Sequence, residues 1–172
     1  FKGALLCGPV SRSAETIRLH RLFRDGHAKQ EEFLASAAKD AQAILAAQQK
    51  GFAYLSGGQV EWLDLFRPLA ATWQGFEKRN SPGEDAVGPV TRWFRTNTFY
   101  RKPHVNAKLS CKGNELLAFL PKLSGRGVVF LPAPYTFWKL AEHSYYKKAG
   151  DFAADYASAL AASVPALKKH GY

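Results

Sequence analysis

Short apolar runs closed by glycine and proline alternate along this chain with longer stretches of three- and four-residue apolar spacing. Ala4-Leu5-Leu6-Cys7, ended by Gly8-Pro9, has the form of a buried strand. Ser11 or Ser13 is placed to cap a helix over Ala14–Arg24, with Ile17, Leu19 and Phe23 available for burial and Asp25-Gly26 closing it. Gln30–Gln49 carries Phe33, Ala37, Ala41, Ile44, Leu45 and Gln48 on one helical face, and Lys50-Gly51 stops it. Phe52-Ala53-Tyr54-Leu55 is a second short strand and Ser56–Gln59 a turn. Residues 60–72 have helical character, with Pro68 as a kink or break.

Residues 74–90 have the composition of a loop, and Thr91–Val105, rich in aromatic and β-branched residues around Asn97, predicts a hairpin or extended flap. A short helix is expected over 114–120, and the clearest strand over Gly127–Leu131, ended by Pro132-Ala133-Pro134. Helices follow over Thr136–Tyr146 and Asp151–Lys169, the latter with a stripe of Phe152, Tyr156, Leu160, Val164 and Leu167. Apolar strands alternating with helices predict the α/β class, a parallel sheet covered by helices. A weak internal echo supports this. The helix ending at Lys50-Gly51-Phe52 leads into a strand, and His170-Gly171-Tyr172 has the same form, so a further strand is expected to begin there.

Composition adds a bias. The 172 residues carry 24 Lys+Arg against 14 Asp+Glu, a formal charge of +10, and are 47% hydrophobic, which suits a folded globular chain. No run of about 18 apolar residues is present to span a membrane, and residues 1–10 lack the flanks of a signal peptide. Cys7 and Cys111 form no CxxC pair, so a reduced, cytoplasmic protein is the expectation. The chain contains no Met and starts at Phe1, which points to a processed or cut N-terminus.

In a parallel α/β fold the ligand lies beyond the C-terminal strand ends, here the loops Gly8–Ser13, Ser56–Asp64 and Pro132–Tyr135. The most distinctive segment is basic. Between Ala86 and Asn114 stand Arg92, Arg95, Arg101, Lys102, Lys108 and Lys112, with no acid, interleaved with Trp93, Phe94, Phe99 and Tyr100. Three readings stay open: a surface for single-stranded nucleic acid, a site for a small polycarboxylate, or an edge hairpin whose charges oppose aggregation. The five histidines are scattered. No HExxH, His-x-Cys, GxSxG, phosphate loop or dinucleotide fingerprint is present, and no catalytic residue is assigned. Glu61, Asp64, Glu142 and Asp151 are hydrogen-bonding carboxylates without an evident acid/base pairing.

Five short segments, in order, resemble the cobalamin-independent methionine synthase family. They are Gly8-Pro9-Val10-Ser11-Arg12-Ser13, Lys50-Gly51-Phe52 after a long helix, Gly58-Gln59-Val60-Glu61-Trp62-Leu63-Asp64, Asn97-Thr98-Phe99-Tyr100-Arg101-Lys102-Pro103, and Leu131-Pro132-Ala133-Pro134-Tyr135-Thr136. The resemblance is to the N-terminal half of the barrel, in a divergent, archaeal-type or N-terminal-domain-like member, and covers nearly the whole chain. It implies a partial (β/α)8 TIM barrel over 1–172, the first three βα units, with a basic flap inserted at about 74–112. A complete barrel has about 250 residues, so a second half, on the same or a separate chain, is an implied partner.

The implied reaction is transfer of a methyl group from a methylated folate to the zinc-bound thiol of homocysteine. Ser11, Arg12, Gln59 and Asp64 would hold the amino acid, and Arg95, Asn97, Tyr100 and Arg101 the anionic donor. Gln59 stands where the family has Glu, Trp62 where Arg is common, and Pro9 where a Ser contacts the substrate. The family's zinc ligands lie in its second half, so no metal is assigned to these residues, and the chain alone is expected to be inactive. The rivals are a non-enzymatic basic module, for RNA for instance, and a related barrel using another thiol or a corrinoid.

Overall fold

In a computed structural model, residue 8 and residues 10–62, 65–78 and 87–172 are described. The expected first strand, Ala4–Cys7, lies outside them. The chain forms two compact units from interleaved stretches, the first from residues 1–63, 119–130 and 168–172, the second from 64–118 and 131–167.

The first unit is built on helices α1 (Ala14–Arg24) and α2 (Gln30–Gln48). Of the two candidate caps it is Ser13 that acts. Its hydroxyl accepts the Thr16 N–H, and its own N–H donates to Asp40 at 2.8 Å. Burial works against ionisation of Asp40, but the Ser13 N–H, the Thr16 and Ser13 hydroxyls and the Arg12 charge hold its carboxyl below the ordinary range. Thr16 is fully buried, 2.7 Å from the Ser36 hydroxyl, and Phe23 stacks on Phe33. Residues 16, 19, 20 and 23 therefore share the inward face. Ile17, expected to be buried, is one residue off that face and 47% exposed. Phe33, Ala37, Ala41 and Val60 form the core, with Leu19, Phe23 and Ile44 against it.

The two strands expected at 52–55 and 127–131 meet at one parallel bridge, Leu55 to Gly127. The Leu55 N–H donates to the Arg126 carbonyl and the Val128 N–H to the Leu55 carbonyl, both at 2.9 Å. Gly127 N–H then donates to Gly171 at 2.8 Å, Leu123 N–H to His170 at 2.9 Å, and Val10 N–H to Gly58 at 2.8 Å. Four segments thus neighbour one another in chain order, including the one expected to start at His170. Continuous ladders do not follow, and no barrel sheet is present among the described residues. The cause is local. Gly57, Gly58 and Gln59 all have positive φ and turn the chain out of extension. Pro132 has no N–H with which to continue the pairing. At Gly127 the backbones approach so closely that a Cβ would lie 2.5 Å from the Gly171 oxygen.

The second unit begins with α3 (Arg67–Thr72), where Pro68 sits in the first helical turn. Proline starts this helix instead of breaking a longer one, because the first-turn N–H groups need no intrahelical partner. The region expected to be a loop contains β1 (Gln74–Phe76). The expected hairpin pairs β2 (Val90–Arg92) with β3 (Phe99–Arg101). It is followed by β4 (His104–Ser110), α4 (Pro134–Leu140), β5 (Glu142–His143) and α5 (Ala149–Lys169). β4 is central, antiparallel to β1 and parallel to β5. The helix expected to run to Tyr146 stops at Leu140 because Ala141 is extended and Glu142-His143 joins β4.

An aromatic cluster fills this unit. Phe137, fully buried, meets Phe66 edge-on at 4.9 Å, Phe76 at 5.5 Å, and Phe152 and Tyr156 at 5.8 Å. The Tyr156 hydroxyl donates to Pro132, and burial pushes its pKa well up. On α5 the buried face is Phe152, Tyr156, Ala159 and Ser163, whereas Val164 from the expected stripe is 43% exposed. Small residues face inward there because the Cys111 Sγ reaches the Ala159 carbonyl at 2.9 Å. Gly113 lies against the Ala162 carbonyl in the same way.

Candidate functional site

In the first unit, Ser11 is exposed and Arg12 half-buried at the entry to α1. Asp64 lies outside the described residues. Gln59 is 2% exposed and holds a left-handed backbone, φ 48°. Its amide clasps one residue from both sides: Nε2 donates to the Phe130 carbonyl at 3.0 Å, and Oε1 accepts the Phe130 N–H at 2.8 Å. The side chain thus does what a neighbouring strand would do, at the point where the backbone ladder stops. This arrangement requires one donor and one acceptor, which Gln has and an ionised Glu lacks. Beside it Glu61 is half-buried, and loss of hydration raises its pKa. Burial also raises the pKa of Tyr172, as does the nearby Glu61 charge.

In the second unit the basic segment is divided by its packing. Tyr100 is a core residue: its ring lies 5.5 Å from Phe66 and its hydroxyl donates to the Leu140 carbonyl at 2.9 Å. Lys102 pairs with Glu142 at 2.9 Å and Lys108 with Asp155 at 3.5 Å, so two of the cations face acids from later in the chain. Arg101 is half-buried opposite Val90. Arg95 and Asn97 are exposed in the turn, which closes through Trp93 N–H to Thr98 at 2.7 Å and Thr96 N–H to Trp93 at 3.1 Å. Phe94, at φ 50°, is turned outward and 71% exposed, and Arg92 lies over the Phe99 ring at 5.4 Å.

That outward turn opens a pocket of about 340 Å³ lined by Trp93, Phe94, Tyr135, Thr136, Lys139 and Leu140. Tyr135 is 65% exposed, and the Lys139 ammonium sits over its ring at 5.6 Å. The sequence marks Trp93 and Phe94 only as aromatics within a basic run, and Tyr135 only as a strand-end residue. Lys139 carries no signal, since its place on the rim comes from α4. The chemistry offered is an apolar, aromatic slot with one cation, Lys139, in its lining, suited to a flat ring bearing negative charge. Among the described residues no three His, Cys, Asp or Glu side chains gather as a metal site. Those residues offer zinc no ligand set. No helix among them is long and apolar enough to cross a membrane.

No protein-family model and no curated protein matches the chain. A solved structure does. The chain is similar to a B12-independent methionine synthase from Shewanella sp. W3-18-1, determined in complex with selenomethionine, with a TM-score of 0.59 and 17% identity. The match covers 84% of this chain and 42% of that one, so the chain spans less than half the length of the synthase. The likeness is one of fold, a mixed α/β arrangement, and the neighbour is an enzyme.

Proposed function

We propose that this chain is part of a methyltransferase of the methionine-synthase type, whose complete barrel moves a methyl group from a methylated, folate-like donor to the thiol of homocysteine. The observation that carries the reading is the fold likeness to a methionine synthase over 84% of the chain. The ordered sequence segments support it independently. A zinc ion in the complete barrel, which the family resemblance implies, would have to take its ligands from residues other than the described ones. Within the chain, Ser11 and Arg12 are the candidates for the amino-acid end of homocysteine, and Gln59 positions their surroundings through Phe130.

The hairpin pocket is the candidate donor site. Trp93, Phe94 and Tyr135 would take the ring, while Arg95, Lys139 and Asn97 would meet its carboxylates. The same pocket supports the rival reading, since an exposed aromatic beside arginines also stacks nucleobases. Titration of Trp fluorescence separates them. A methylated tetrahydrofolate with a polyglutamate tail should bind saturably, more tightly than the monoglutamate, and should lose affinity about tenfold in Arg95→Ser and Lys139→Met. Binding of an oligonucleotide alone, with a steep salt dependence, would replace the donor reading with the nucleic-acid one.

A further inference from the structure

A row of side chains on the three-stranded sheet of the second unit takes no part in the reading above. β4 is the middle strand and His104 its first residue. On one side, Phe76 of β1 pairs with Val105, which sets Glu77 across from His104, and the Glu77 N–H donates to the His104 carbonyl at 2.9 Å. On the other side, Glu142 of β5 pairs with His104. Ser144, in the bend directly after β5, brings its hydroxyl to the same imidazole. The topology therefore lays a carboxylate from just after β1, an imidazole from the start of β4 and a hydroxyl from just after β5 side by side.

The distances make this a relay. Glu77 Oε2 is 2.5 Å from His104 Nδ1, and His104 Nε2 is 3.1 Å from Ser144 Oγ. A carboxylate at Nδ1 holds the proton on that nitrogen and leaves the Nε2 lone pair directed at the hydroxyl. The Ser144 hydroxyl has one other acceptor, the Val105 carbonyl at 3.4 Å, which is the longer contact. The Glu77 and His104 side chains are 40% and 29% exposed and Ser144 is exposed, so a reagent can reach the row.

We propose that Ser144 is an activated nucleophile toward activated acyl esters, with His104 as its base and Glu77 orienting the imidazole. The Ser144 oxygen attacks the ester carbonyl carbon as its proton passes to His104 Nε2. The tetrahedral adduct then collapses, the ester C–O bond breaks, and the leaving alcohol takes that proton, giving acyl-Ser144. Water attacks the acyl carbon, His104 takes the water proton and returns it to Ser144, and the carboxylic acid departs.

The surroundings limit the substrate class. The N–H groups of Ser144 and Tyr145 both donate to Val105, at 3.0 and 3.4 Å, so they are not aimed at a developing oxyanion. Positive charge comes instead from Lys147, whose Nζ lies 3.4 Å from the Ser144 carbonyl oxygen. Esters with good leaving groups fit this environment and amides do not.

The test is covalent labelling of the full 172-residue chain with a fluorophosphonate, read by intact mass and peptide mapping, beside p-nitrophenyl acetate turnover. One adduct per chain is expected on Ser144, none in Ser144→Ala. The labelling rate should fall about 100-fold in His104→Gln and about tenfold in Glu77→Gln. Should the alanine variant fail to fold, Ser144→Cys keeps a nucleophile, and its alkylation by iodoacetamide should depend on His104. Absence of an adduct, labelling at another residue, or an unchanged rate in His104→Gln overturns the proposal. The last result would make the row a clamp that ties three strands together.

Discussion

The two units solve the same problem, holding short segments of chain against each other, by different means. In the first unit polar groups aimed at the backbone do much of the joining. Gln59 clasps Phe130, and the buried Gln48 amide receives the Ser56 N–H at 3.0 Å and donates to the Ser56 hydroxyl at 3.1 Å. In the second unit the joining is aromatic, centred on Phe137, with short strands around it. A backbone-directed amide fixes direction and donor-acceptor sense, so it tolerates almost no chemical change. An aromatic cluster fixes volume, and leaves rings such as Phe94 and Tyr135 free to extend its chemistry to the surface. Where the candidate residues lie follows from this. Gln59 in the first unit is committed to the fold, while Arg95 and Asn97 in the second remain open to a ligand.

The largest test of the contrast is Phe137→Ala, which empties the middle of four ring contacts and should cost about 3–5 kcal/mol in urea unfolding. Next comes Gln59→Glu. An ionised carboxylate still accepts the Phe130 N–H but faces the Phe130 carbonyl without a donor, so about 2–3 kcal/mol should be lost near neutral pH, while Gln59→Leu should lose a similar amount at every pH. If Gln59→Glu is neutral in stability, the clasp is not what joins those segments.

A smaller effect is set by pH. Lys78 donates to the Ala70 carbonyl at 2.5 Å, and burial of its ammonium lowers its pKa from 10.5 to about 8. Between those values the unfolded chain binds more protons than the folded one, so stability should rise as pH goes from about 8 to about 10. Lys78→Met should flatten that rise, as seen in melting curves across the interval. The smallest expected change is in Arg95→Ser, within about 0.5 kcal/mol of the parent, although its donor affinity falls. A large loss of stability there would mean that the hairpin turn is structural.

The helices were legible because their signals are local. Ser13 as cap, the 33/37/41/45/48 stripe and Gly51 as stop define α1 and α2 almost to the residue. The strands were less so. The apolar run at 127–131 is real, but its pairing is cut short by positive φ at 57–59 and by Pro132, and the spacing of apolar residues records neither partner nor dihedral angle. β5 was hidden inside a helical pattern because two residues suffice to join β4. The basic run at 92–112 was legible as charge, yet the pairing of Lys102 and Lys108 depended on Glu142 and Asp155, far along the chain. The Glu77–His104–Ser144 row had no sequence motif, since its members lie at the ends of β1, β4 and β5 and meet only through sheet order.

The attachment of residues 168–172 to the first unit has a consequence for synthesis. His170 Nε2 lies 3.1 Å from the Leu120 carbonyl, Tyr172 O–H donates to Pro121 at 2.9 Å, and Gly127 N–H donates to Gly171. The first unit is thus closed by residues that are synthesised after every segment of the second. The segments of the second unit emerge before that seal can form, so α1 and α2 must wait as a partly assembled pair while the aromatic unit gathers. Such late, long-range closure slows folding and lengthens the exposure of apolar surface.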